Sequence, residues 1–183
     1  MNSTTILGIA SDPGYATREV DTVSIPWGDA RKHRQLLTTA TGRDVALALP
    51  RGTFLSEGDV VADDGTTIVV VTRPPEDAVV VDFADNTGTD AVRRALILGY
   101  VLGNQHAPLD VSVDRMRTPL MTGPETAEQM LRDLHLVGRV DRVPLAARGW
   151  TNTSADHHHS HDHAHAHAHA HYHSHGHGHG HAH

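Results

Sequence analysis

The last stretch of the chain cannot take part in any core. From His157 it reads HHHSHDHAHAHAHAHYHSHGHGHGHAH, and of the 18 histidines in the sequence all but His33, His106 and His135 lie in it. Histidine alternating with Ala, Gly and Ser offers nothing to bury, so the segment is expected to be a disordered tail. The fold must come from the roughly 156 residues before it, enough for one ordinary domain or two small ones. What the tail can do is bind divalent transition metals through His157, His158, His159, His161, His163, His165, His167, His169, His171, His173, His175, His177, His179, His181 and His183. In an extended chain alternate side chains stand roughly 6.5–7 Å apart, too far to share one ion. The intervening small residues bend easily, so pairs and triples can close around a metal in many interchangeable registers. Imidazole suits Ni²⁺, Zn²⁺ and Cu²⁺, with Cu²⁺ bound tightest. A purification tag would be an uninterrupted run of about six histidines, whereas the longest run here is His157–His159. A metal-free pH sensor is the other alternative.

Composition narrows the classes further. There is no cysteine, which excludes disulfides, thiolate metal sites and a cysteine nucleophile. The N-terminus lacks a signal-peptide pattern, and no run approaches the roughly 18 apolar residues that span a bilayer. A cytoplasmic protein without a membrane partner is expected. The formal charge of −7 argues against nucleic acid as a partner.

Two patterns follow one another along the chain. In the first half, Asp44–Leu49 (DVALAL) alternates with period two, Asp63-Asp64-Gly65 is a hairpin signal, and Thr66–Thr72 (TTIVVVT) is rich in β-branched residues. Short strands at close spacing predict a small all-β domain over residues 1–73, ended by Pro74-Pro75. In the second half, Ala78–Ala84 reads as a strand. Asp90 to about Leu102 reads as a helix, with apolar residues Val92, Leu96, Leu98 and Val101 and a stop at Gly103-Asn104. Strands near Leu109–Val113 and Arg117–Met121 come next. A helix opening at Pro124-Glu125 carries Ala127, Met130, Leu131 and Leu134 on one face, and Gly138 stops it. Arg139–Leu145 is the last strand. That order, βαββαβ, is ferredoxin-like, over residues 76–146. The fold class is therefore α+β, with residues 147–183 as linker and tail.

Few residues in the ordered part carry chemistry. His106 follows the helix stop and precedes Ala107-Pro108, which places it at a corner beside a helix C-terminus, where partial negative charge favours a cation. A corner histidine is commonly an ordinary surface residue. Near the two-fold axis of a symmetric dimer, however, one from each subunit would make a two-imidazole site. His135, at the end of the second helix's apolar face, reads as packing, and His33 as solvated. Arg31–Arg34 (RKHR) reads as a solvated face or as a docking patch for an acidic partner. No P-loop, G-x-S-x-G or H-E-x-x-H occurs, so no hydrolytic constellation is assigned and no enzymatic activity is expected.

Several of these segments together carry a resemblance. Leu47–Val61 (LALPRGTFLSEGDVV) with Asp63-Asp64-Gly65, Leu102–Leu109 (LGNQHAPL), Met130-Leu131 with Gly138, and the histidine-rich terminus stand in the order seen in the UreE urease accessory proteins, which the chain resembles. Those are nickel metallochaperones serving urease maturation. The resemblance implies an N-terminal β domain that binds partner proteins or peptides and a ferredoxin-like metal domain that forms a homodimer. It implies Ni²⁺ as cargo, and the urease accessory GTPase with apo-urease as partners. It gives His106 the role of meeting its dimer mate to hold one ion, a tail histidine completing the shell. Gln105 stands where an arginine is common in the family, and Thr122–Glu125 lacks the histidines some relatives carry there. The alternative function is metal storage or buffering by the tail.

Overall fold

The computed structural model describes residues 1–150. The tail histidines His157–His183, and with them most of the expected linker-and-tail segment, lie outside the described residues. Among the described residues no helix is long and apolar enough to cross a membrane.

Residues up to Thr72 supply the strands β1 (Asn2–Ser3), β2 (Gly8–Ile9), β3 (Glu19–Ser24), β4 (Arg34–Thr38), β5 (Asp44–Ala48), β6 (Asp59–Asp63) and β7 (Thr67–Thr72). They form two sheets, ordered β1-β5-β4 and β2-β6-β7-β3. The predicted hairpin is β6–β7. The Asp64 carboxylate accepts N–H groups from Thr66 and Thr67 at 3.0 and 2.7 Å, and Gly65 takes the left-handed φ of 91° that the turn needs. The apolar run of β7 is buried on both faces. Val69 and Val71 enter the main core with Val23, Val45, Leu47 and Val61, while Ile68 and Val70 pack with Val60 on the other side. A bulge between Val60 and Ala62 lets the consecutive residues Val61 and Ala62 both enter the main core while Val60 serves the other side. Hairpin logic did not anticipate the parallel pairings β1–β5 and β3–β7, which join segments more than 40 residues apart with no turn to announce them.

Asp21 of β3 is buried, at 2% exposure. Burial alone would raise its pKa, but hydrogen bonds from the Thr41 and Thr39 hydroxyls and the Thr22 and Thr41 amides hold the carboxyl well below the usual carboxylate range. Arg43 Nε stands 3.2 Å away. The carboxylate thus ties the β4–β5 turn to the neighbouring sheet.

From residue 76 the order is β8 (Glu76–Asp82), α1 (Ala91–Asn104), β9 (Asp110–Val111), β10 (Arg115–Pro119), α2 (Pro124–Asp133) and β11 (Arg139–Val143). The sheet runs β11-β8-β10-β9 with every adjacent pair antiparallel, which is the ferredoxin-like arrangement. The strand expected at Leu109–Val113 is only Asp110–Val111, and the one expected at Arg117–Met121 starts at Arg115. Alternation along β8 separates two environments. Val79 and Val81 face the helices, with Leu98, Leu102, Ala127 and Leu131, whereas Ala78 and Val80 face Leu145, Trp27 and Trp150.

One sequence reading is refined here and two expectations change. In α1 the buried positions are Leu98 and Leu102, while Val92 and Leu96, grouped in sequence with Leu98 and Val101 as the helix's apolar residues, are 72% and 69% exposed. Gly138 is no helix stop: a Cβ there would sit 3.0 Å from Leu131, Val81 and the Val80 carbonyl, so glycine is what allows this backbone to cross the sheet closely. The segment expected to be a linker from residue 147 begins instead as a strap packed between the two halves. Leu145 and Ala146 are fully buried, the Glu57 N–H donates to the Ala147 carbonyl at 2.7 Å, and the Trp150 ring meets Trp27 edge-on at 5.4 Å.

Candidate metal site

His106 lies at the end of α1, and the backbone there explains why its imidazole points outward. The last helical turn closes with the His106 N–H bonded to the Gly103 carbonyl and the Ala107 N–H bonded to the Leu102 carbonyl, both at 3.0 Å. This is a Schellman closure, and His106 is its left-handed residue, with φ 54°. Glycine is the usual occupant, so a histidine here is held at a conformational cost. Ala107 and Pro108 are buried immediately afterwards. The ring is therefore anchored on a rigid corner, exposed, and next to the partly negative carbonyl end of a 14-residue helix.

The face of α1 that leads to this corner is open. Val92, Leu96 and Tyr100, spaced four apart, are each about 70% exposed. Val92 and Leu96 border an apolar hollow of about 410 Å³ floored by residues such as Phe83, Leu109 and Met116. Gln105, exposed beside His106, borders a second, narrower groove with Thr118, Met121 and Met130.

The other histidines are not brought to this corner. His135 is exposed rather than packed, and it too is the left-handed residue of a Schellman closure, at the end of α2. Because α1 and α2 follow antiparallel strands, the two helices end at opposite ends of the sheet. His33 is half-buried in the β domain, its carbonyl accepting the Leu49 N–H at 2.7 Å. Among the described residues no group of three or more His, Asp, Glu or Cys side chains is placed to hold a metal ion.

One residue near the corner went unnoticed in the sequence. Asp110 opens β9, four residues after His106. Its carboxylate takes Arg117 at 2.9 Å and the Ala146 N–H at 3.0 Å, while Arg117 also donates to the Pro144 carbonyl. The root of the tail is thereby clamped to the strand that follows His106. Only the lone Asp after Ala-Pro-Leu could have hinted at this, and its partners are too distant in sequence to be guessed.

Comparison with known proteins agrees with this architecture. Residues 4–73 match the family model for the UreE urease accessory protein N-terminal domain, and residues 76–173 match that for the C-terminal domain. The chain belongs to the UreE urease accessory protein family. Relatives include the urease accessory protein UreE of Verminephrobacter eiseniae, 33% identical over 72% of this chain and 76% of its own length. UreE 1 of Pseudomonas syringae pv. syringae is 33% identical over 75% of this chain and 95% of its own. The Paracidovorax citrulli UreE is 34% identical over 74% of this chain but only 62% of its own length. The UreE model for the C-terminal domain covers both His106 and the tail as far as residue 173.

Proposed function

We propose that this UreE-family chain serves urease maturation as a non-enzymatic metallochaperone whose cargo is Ni²⁺, with Zn²⁺ and Cu²⁺ able to occupy the same donors. The observation that carries the reading is His106: a single imidazole held outward on a rigid helix end, where a cation is electrostatically favoured. One imidazole is too few for an ion, so the remaining ligands come from a second copy and from the tail. The exposed Val92-Leu96-Tyr100 face of α1 supports a homodimer, since a self-complementary contact along it would bring two His106 corners toward one axis. The tail, with labile and interchangeable sites, collects ions and supplies the closing ligand. An ion held by so few protein ligands passes on by ligand exchange to the apo-urease complex and its accessory GTPase, in the cytoplasm.

Activation of apo-urease in cells lacking the native protein tests this. His106→Ala is expected to cut nickel-limited activation severely, with activity restored by excess nickel in the medium. Undiminished activation at limiting nickel would contradict the role. Metal buffering is the second reading, favoured by a histidine count far above what one transfer site needs. Under that reading, replacing the tail histidines by serine, and not His106, would abolish the phenotype.

A further inference from the structure

Among the described residues β4 is a terminal strand whose outward side is open over residues 34–38; just beyond, the Ala40 N–H donates to the Thr22 carbonyl at 2.8 Å. In the sheet β1-β5-β4, β4 pairs only with β5. The Thr39 N–H bonds to the Arg43 carbonyl and the Leu49 N–H to the His33 carbonyl, which fixes the phase of the ladder. Odd-numbered residues of this strand face β5, so the N–H and C=O groups of Arg34, Leu36 and Thr38 point outward and have no partner among the described residues. Their side chains share the exposed face, and Leu36, at 74%, is the most exposed leucine among the described residues.

Charge gives this edge a polarity. Lys32 and Arg34 are exposed at its N-terminal end, and Arg51 projects from the segment just after Leu49, opposite His33. Among the described residues Lys32 pairs with Asp29 at 2.6 Å. This basic corner stands out on a chain of formal charge −7. Charged residues commonly protect open edges from self-pairing, and two copies meeting along β4 in parallel would oppose like charges. A segment of opposite charge meets no such barrier.

We propose that the β4 edge is a docking strand for an extended acidic segment of a partner protein. The segment adds to the sheet beside β4, hydrogen-bonded to Arg34, Leu36 and Thr38. An apolar side chain of the segment covers Leu36, and its carboxylates meet Lys32, Arg34 and Arg51. The proposal rests on the maturation reading for the partner's source, which is the apo-urease–accessory GTPase complex.

Hydrogen exchange of the full chain, free and mixed with that purified complex, tests it. Slowed exchange confined within the β domain to residues 34–38 is expected, as is an affinity that weakens with added salt. Arg34→Glu with Arg51→Glu should weaken the complex about tenfold or more while the tightest nickel site is unchanged. Binding of the complex with exchange at residues 34–38 unaltered would overturn the docking strand and leave the maturation reading standing. Failure of the wild-type chain to bind the complex at all, with or without nickel, would count against both.

Discussion

His106 and His135 hold equivalent places at the ends of two different helices: each donates its N–H to the carbonyl three residues back and adopts the left-handed backbone, with φ 54° and 52°. Glycine would fit either position better. The strain alone therefore marks no function, and the two residues are separated by what lies around them. His106 sits at the end of the exposed apolar face of α1, whereas α2 ends at the far end of the sheet.

Replacing each by glycine separates stability from binding. His106→Gly and His135→Gly should each raise the unfolding free energy by about 0.5–1 kcal/mol, read from urea midpoints. Only His106→Gly should also remove the tightest metal site. Equal metal affinity in both variants would mean that the strained histidine at 106 is incidental.

Acid sensitivity should trace in part to Asp21. Its folded pKa is depressed, so the stability it confers is present above the ordinary carboxylate pKa and is lost as pH falls below about 4. At pH 7, Asp21→Asn should cost about 2 kcal/mol by weakening the hydrogen bonds to Thr41 and Arg43. The gap between variant and wild type should narrow as the pH is lowered from 4 to 2, measured by urea denaturation at each pH.

The junction between the halves has its own reporter. The chain contains two tryptophans, and Trp27 and Trp150 meet there at 5.4 Å. Fluorescence excited selectively at tryptophan therefore reads this junction. Leu145→Ala, at a fully buried position, should destabilise by about 2–5 kcal/mol and red-shift the emission before global unfolding. An unshifted spectrum would show that the strap does not depend on Leu145.

Much of this architecture could be read from sequence because it is written in local signals. The Asp63-Asp64-Gly65 turn, the β-branched run to Thr72, the Pro124 helix start and the βαββαβ order all depend on residues close together. So does the corner placing of His106, whose exposure follows from a helix stop and a buried Ala-Pro. What escaped depends on distant partners. The parallel pairings of β1 and β3, the strap from Leu145 to Trp150 and the Asp110 clamp have no neighbouring residues to announce them. The phase of α1 is not legible in sequence for a related reason. Its sequence is apolar on more than one face, and burial alone distinguishes Leu98 and Leu102 from Val92 and Leu96.

Asp110 holds Ala146 to the strand after His106, so the chain that leads to the tail is fixed on the ferredoxin-like domain. In the proposed reading the directed site belongs to His106 and the tail serves it. Nickel binding by competition with a chromogenic chelator, comparing the full chain with His106→Ala, addresses this most directly. Wild type should hold one tightest ion per dimer, and His106→Ala should lose that ion while retaining many weaker tail-bound ones. An unchanged tightest site in His106→Ala would contradict it and leave the tail as the whole of the metal chemistry.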